Sequence, residues 1–430
     1  MKIMRILYSM LMLSALATSV SASANQSLSP RTYEKLNEIQ TLLSEGKHVE
    51  VKTELLELEA DLSPGFGLAL TYQIHAQLHL SQENTVQAIV YFNKALELEA
   101  LKAVQAVSIA TNVSQLYLSD GDTEAAIKVL KPRIEAAEAE KEKSTISMAY
   151  ITLGSAYQVK GDFNGSIPWL KEGIARSTKP RENWLQMLMA AHYQLKQYPE
   201  AVNLLNQLIV INESKEEYWL QQASLYQLQG KPKKALEVLE IAYVRGWLKK
   251  EDGLILLVQL LVTQGIPERG GRFLYEMLQQ NLVELSESNW SLLASAWIQG
   301  RERKSAILAL ENAALLSEQL ESDRSKRDSL KDEGLENKNK AAGLYYRVAQ
   351  LQFDEGDFSG SIKNYQKSLG LGLSGKKVGT AILMQGNSYF ELANYKMAKV
   401  YFSKALSEPG SSNSARAWLN YMQQLELFES

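Results

Sequence analysis

His75 and His79, four positions apart, are the first residues in this 430-residue chain whose types and spacing could do chemistry. On a helix both rings would face one side, as a pair of metal ligands would. No glutamate follows His75 to serve as a base and no third ligand falls in register, so the expectation is packing. The run Gly370 to Lys377, GLGLSGKK, comes within one residue of a phosphate-binding loop, which needs Ser or Thr where Lys377 stands. It lies between helical patterns instead of after a strand, and reads as a turn. There is no cysteine, which removes thiolate nucleophiles, thiolate metal sites and redox pairs. Neither a G-x-S-x-G elbow nor an H-E-x-x-H zinc helix occurs. The acids Glu54 with Glu57, and Glu138, Glu140 and Glu142, read as solvated helix faces. Of the seven tryptophans, Trp219, Trp290 and Trp297 fall at packing positions, Trp169 lies beside one, and Trp247, the ring most open to solvent, is expected to pack under the following hairpin. No catalytic residue, metal or cofactor is expected.

The elements that would hold these residues repeat. A small residue is followed four positions later by a bulky apolar one and seven later by another small or apolar one: Ala88-Phe92-Ala95, Ser166-Leu170-Gly173, Ala235-Leu239-Ala242, Ala306-Leu310-Ala313, Ala398-Phe402-Ala405 and four weaker copies, with Val51-Leu55-Leu58 as a degenerate first. Successive copies lie 37, 38, 40, 35, 34, 35, 36, 55 and 37 residues apart. Upstream of each triplet lies a second helical segment, clearest in Gly154-Tyr157, Ala223-Tyr226, Ala294-Trp297 and Gly386-Tyr389, where a small residue stands twelve positions before the triplet and a ring three later. Both fall on one helix face. Between the two helices stand turns such as Gly121-Asp122, Gly161-Asp162, Gly230-Lys231-Pro232 and Gly356-Asp357. Glycine can close the first helix in a left-handed conformation and Asp can cap the second. The spacing therefore predicts stacked helical hairpins, none of which could bury its apolar face alone.

The 55-residue interval matches the segment 321–340, ESDRSKRDSLKDEGLENKNK, a charged insertion that should be a flexible excursion or a weak solvated helix. Residues 413–430, with Trp418, Tyr421, Met422, Leu425 and Leu427, read as a capping helix over the last repeat. At the other end, Lys2 and Arg5 precede the apolar stretch Ile6 to Ala17 and the small residues Ala22-Ser23-Ala24. Residues 1–24 read as a secretory signal cleaved after Ala24, with an uncleaved anchor as the alternative. The longest apolar run elsewhere, Leu254 to Val262, is far short of a membrane span. With 46 basic and 49 acidic residues intermixed, nothing favours nucleic acid. A periplasmic protein without stable membrane insertion, a lipid anchor or a disulfide is expected.

The hairpin pattern resembles the tetratricopeptide repeat, best in Trp219-Ala223-Tyr226-Gly230-Ala235-Leu239-Ala242 and nearly as well in Trp290-Ala294-Trp297-Ala306-Leu310-Ala313. The resemblance implies an all-α superhelical solenoid of about ten hairpins, arranged as an array over 25–320, the insertion, and a hairpin pair over 341–412. In that family the first helix of each hairpin lines the concave surface, and the residues beside its small packing residue point inward. Here those are Gln77, Gln115, Ser155, Ser224, Ser295 and Asn387, neutral groups suited to an extended peptide read through its backbone. The paired Lys and Asn of carboxylate-gripping members are absent.

The runs Gly246 to Gln279 and Asn289 to Glu318 further resemble periplasmic repeat proteins that accompany TonB, ExbB and ExbD systems, although the charged insertion departs from that group. That likeness implies a non-enzymatic scaffold accessory to energy transduction and uptake, with a TonB-complex component as partner. The alternatives are an envelope or exopolysaccharide assembly factor, whose exposed aromatics would stack on sugar rings, and an enzyme with a pocket outside the repeats.

Overall fold

The computed structural model describes residues 28–139, 147–327, 333–425 and 427. The signal segment and residues 328–332 of the charged insertion lie outside them. Among the described residues there are 21 helices and no strand. They fall into two compact units, 1–211 and 212–430.

The first unit holds five hairpins. They are α1 (Pro30–Ser44) with α2 (His48–Asp61), α3 (Phe66–Ser81) with α4 (Thr85–Glu97), α5 (Ala103–Ser119) with α6 (Thr123–Ala139), α7 (Ser147–Val159) with α8 (Phe163–Ala175), and α9 (Glu182–Gln194) with α10 (Tyr198–Ile211). The second unit holds five more and a closing helix. Its pairs are α11 (Glu216–Leu228) with α12 (Pro232–Val244), α13 (Glu251–Thr263) with α14 (Pro267–Gln279), α15 (Glu287–Gln299) with α16 (Arg303–Arg327), α17 (Glu333–Asp354) with α18 (Phe358–Gly370), and α19 (Lys376–Glu391) with α20 (Tyr395–Ala405); α21 (Ser412–Gln424) follows. The charged segment is entered from both sides by helix, α16 running on to Arg327 and α17 starting at Glu333.

The triplets build the core as their spacing requires. Ala88, Phe92 and Ala95 are fully buried, as are Ala235, Leu239 and Ala242, and Ala398, Phe402 and Ala405. The small residue upstream is small because its hairpin partner touches it. A β-carbon on Gly154 would stand 2.7 Å from Leu170 Cδ2, and one on Gly386 would stand 2.6 Å from Phe402 Cδ1. Each buried Leu or Phe contributes about 1.5–3 kcal/mol, which is how short helices persist without covalent staples.

Each hairpin turns on one residue with left-handed φ. Glycine serves in six, at 46, 121, 161, 230, 265 and 356, while Glu83, Lys196, Arg301 and Ala393 serve in the other four. The carboxylates of Asp122, Asp162 and Asp357 accept the amides of Ala125, Gly165 and Gly360 at 3.0, 2.8 and 2.9 Å, capping the second helices. The GLGLSGKK segment is an inter-hairpin turn from α18 to α19, with positive φ at Gly372 and Gly375. The closing helix buries Ala415 and Met422 and stacks Trp418 on Phe402 at 5.4 Å.

Candidate partner-binding surface

All six residues singled out as groove candidates lie on the first helix of a hairpin, directly after its small packing residue. Gln77, Gln115 and Ser155 sit half-buried on α3, α5 and α7 of the first unit. There the first helices of neighbouring hairpins touch: α1 with α3, α5 with α7, and α7 with α9. Gln115 Nε2 donates to Thr152 Oγ1 of α7 at 3.3 Å, and Gln158 Nε2 donates to the Met187 carbonyl of α9 at 2.7 Å. The amide of Gln115 thus joins helices as well as lining a face.

In the second unit Ser224 is exposed on α11, and Ser295 and Asn387 are half-buried on α15 and α19. Asn387 Oδ1 is buried without a partner. Three of the six lie in each unit. The structure also adds Gln259, exposed in the same register of α13. The small-residue spacing hides it, because Val258 stands where Ala223, Ala294 and Gly386 stand in their copies. Around Ser224, the residues Gln221 and Leu228 are exposed at helical spacing and make an open stripe along α11, at whose start the exposed Glu217 is paired with Lys250. Its chemistry is amide, hydroxyl and aliphatic, with a carboxylate at the helix start.

What sequence reasoning missed is how the first helices of the second unit are joined. Glu216, the first residue of α11, is 7% exposed, and its Oε1 accepts the backbone N–H groups of Lys249 and Lys250 at 3.2 and 2.9 Å, just before α13. One repeat on, Glu251 begins α13; its Oε2 accepts the Glu284 amide at 3.0 Å and its Oε1 accepts Asn289 Nδ2 at 2.8 Å. Glu287, the first residue of α15, pairs with Lys340 of α17. Gly253 leaves room for the first of these joints, since a β-carbon there would stand 2.9 Å from Glu216 Oε1 and 2.6 Å from Leu248 Cδ1. The signal was present in the sequence as glutamates 35 and 36 residues apart at helix starts, where carboxylates also meet the positive end of the helix dipole.

A second device recurs in both units: a phenol set between a carboxylate of the preceding hairpin and a cation of its own. Tyr150 donates to Glu138 while Arg176 lies 4.6 Å over its ring and 2.9 Å from Glu138. Tyr345 donates to Glu318 at 3.0 Å, and Lys367 stands 2.7 Å from the phenol oxygen and 2.8 Å from Glu318. Burial pushes both phenols up from the ordinary tyrosine value. The hydrogen bond from Lys367 holds the Glu318 carboxyl below its usual value. These groups are consumed in joining repeats.

The histidine pair is packed. The rings of His75 and His79 stack on Tyr91 at 4.5 and 5.3 Å, and Lys94 lies over Tyr91 and Tyr72 at 4.8 and 5.3 Å. Glu59 Oε2 stands 3.2 Å from His75 Nε2, off the alignment of a hydrogen bond. Burial lowers both histidines from their ordinary value, in His75 against the pull of Glu59. Among the described residues no three His, Asp or Glu side chains are grouped to hold a metal ion. Trp247 is half-buried, with one face stacked on Trp219 at 5.2 Å and Arg245 5.8 Å from its ring.

The hairpin geometry and a family comparison coincide at the end of the array, where the tetratricopeptide repeat model matches residues 380–408, the whole of the α19–α20 turn and its flanks. That hairpin is a tetratricopeptide repeat. No curated protein matches the chain. Among solved structures it is similar to Naa15/Naa10 bound to HypK-THB, at 15% identity and TM-score 0.44, covering 79% of this chain and 58% of that one. A tetratricopeptide repeat protein from Parabacteroides merdae is similar at 16% identity and TM-score 0.36, over 62% of this chain and 99% of that one. The C-terminal part of a repeat-containing protein from Cytophaga hutchinsonii is similar at 15% and 0.38, over 70% and 98%. This chain spans under two thirds of the first of these. Tetratricopeptide arrays serve as protein-binding scaffolds, presenting extended surfaces built from successive first helices.

Proposed function

We propose that this chain is a non-enzymatic scaffold, exported to the periplasm, whose first-helix face in the second unit binds an extended segment of a partner protein. The observation that carries the reading is the open stripe of Gln221, Ser224 and Leu228 on α11, continued in register by Gln259 on α13 and Ser295 on α15. Neutral donors and acceptors at helical spacing suit backbone recognition, with modest affinity and little charge steering. Export is supported by residues 1–24 alone, and a TonB-complex component as partner by the sequence likeness alone. A sugar platform at Trp247 is disfavoured because Trp219 already covers one face of that ring.

A photo-crosslinking residue placed at Ser224 or Gln259 in living cells tests this. Protein adducts are expected there and not at Val244, which is 80% exposed on the second helix α12. Adducts with glycan alone, or protein adducts equal at all three positions, would overturn the reading. Recovery of TonB, ExbB or ExbD in those adducts would identify the partner.

A further inference from the structure

The two ends of the array carry opposite charge. Hairpin α1–α2 holds eight carboxylates against four basic groups, a formal charge of −4. Of the bases, Lys35 is already bound to Glu54 and Lys47 to Glu45. Glu34, Glu38, Glu45, Glu50, Glu57 and Asp61 are exposed. Hairpin α19–α20 holds five lysines, at 376, 377, 396, 399 and 404, against Glu391 alone, a formal charge of +4. All five are exposed.

Apolar groups accompany the charge at both ends. On α2, Val49 is 80% exposed and Leu56 49%, one on each side of the acids Glu50 and Glu57. At the other end, the closing helix leaves Tyr421 and Leu425 each 47% exposed, and Val400 of α20 is 41% exposed. A capping helix normally turns a polar face outward to end a repeat array. This one does so incompletely, with Tyr421 and Leu425 left part-exposed.

We propose that the chain associates head to tail with a second copy of itself, the α19–α20 hairpin and closing helix of one copy seating on the α1–α2 hairpin of the next. Exposed aliphatic and aromatic side chains would form the centre of the contact, ringed by complementary charge. The contact is heterologous, so a third copy can add to the second and short chains form as concentration rises. Because exposed charges drive it, salt weakens it. The residues it uses lie outside the α11, α13 and α15 stripe, and it does not depend on what binds there.

Sedimentation velocity of the full chain tests this over a concentration series at about 0.02 M and about 0.5 M salt, where the screening length falls several-fold. The expected result is a weight-average mass that grows with concentration at low salt, with association at least about tenfold weaker at high salt. Two charge-reversed chains decide the register. One carries Lys376→Glu, Lys377→Glu, Lys396→Glu and Lys404→Glu; the other carries Glu34→Lys, Glu50→Lys, Glu57→Lys and Asp61→Lys. Each should be monomeric alone, and an equimolar mixture should associate again. Circular dichroism checks that both keep their helix. A wild-type chain that stays monomeric at low salt, association that survives either reversal, or a mixture that stays monomeric would each overturn the proposal. So would a monomer whose lysine-rich hairpin binds phosphatidylglycerol vesicles, which would assign that end to an anionic membrane.

Discussion

At the first helices, neighbouring hairpins of the first unit are joined by neutral amide side chains: Gln115 on Thr152 and Gln158 on the Met187 carbonyl. In the second unit the corresponding joints are carboxylates at helix starts, Glu216 on two backbone amides, Glu251 on an amide and an asparagine, and Glu287 on a lysine. Outside the charged insertion the repeat period is similar, and the small-residue contact between paired helices is the same, as Gly154 against Leu170 and Gly386 against Phe402 show. A repeat fold therefore constrains what happens inside a hairpin far more than what happens between hairpins. Inside, a steric contact of under 3 Å admits one solution; between, any group that satisfies an exposed helix start will serve.

The largest expected effect separates the units at Glu216. Replacing this buried carboxylate with alanine leaves the Lys249 and Lys250 amides without an acceptor, and should cost the second unit about 2–3 kcal/mol. Hydrogen exchange should rise at residues 249–254 and stay unchanged in the first unit, while Glu216→Gln should recover part of the loss. Equal loss in both units would mean that the two do not differ in the way described. Gly253→Ala attacks the same joint from the other side. Its β-carbon meets Leu248 and Glu216 at under 3 Å, so about 1–3 kcal/mol is expected from overpacking, read by urea denaturation.

Acid should separate the units in the opposite sense, because all four histidines lie in the first. His75 and His79 are held below their ordinary value of 6.5, so below about pH 6.5 the unfolded chain binds protons that the folded one refuses. Stability of the first unit is full above that pH and falls as pH drops toward the lowered folded values. Glu59 offsets part of this at His75, while Lys94 there and Lys52 at His79 add to it. In the second unit the lowered carboxyls are Glu217 and Glu318, whose contributions are present above the usual carboxylate value and are lost only as pH falls below it. Hydrogen exchange at about pH 5.5 against about pH 7.5, corrected for intrinsic rates, should show the first unit loosened and the second unchanged. The variant His75→Phe should blunt the change; an equal response in both units would remove histidine as its cause.

The hairpins themselves were legible because their signals are local. Ala88-Phe92-Ala95 and its copies fix a helix face, and Gly121-Asp122 or Gly356-Asp357 supplies both the left-handed residue and the cap that follows it. The joints were not legible, because Glu216 reads in sequence as one more acid at a helix start. Its worth depends on a backbone 33 residues away. Of the groove candidates, Ser224 was singled out through Ala223, whereas Glu217, Gln221 and Leu228 beside it were not, and Gln259 was hidden by Val258. The four turns without glycine were likewise invisible: nothing about Glu83 or Ala393 announces a positive φ.

Those four turns give the smallest effect, and one on which the units should agree. Glu83 in the first unit has φ 60° and Ala393 in the second has φ 55°. Both are exposed, so neither holds its conformation through burial. A non-glycine residue in this region costs about 1–2 kcal/mol, and glycine removes that cost at the expense of about 0.5–1 kcal/mol of chain entropy. Glu83→Gly and Ala393→Gly should therefore each stabilise by about 0.5 kcal/mol, visible as a small rise in midpoint at unchanged slope in urea. The converse change, Gly161→Ala in the first unit or Gly230→Ala in the second, should destabilise by about 1 kcal/mol, since φ is 85° and 69° there. Matching gains at 83 and 393 would show that the units differ at their joints and not in their turns. A gain in one and a loss in the other would mean that an intra-hairpin turn is also under different constraint, and that the contrast begins inside the repeat.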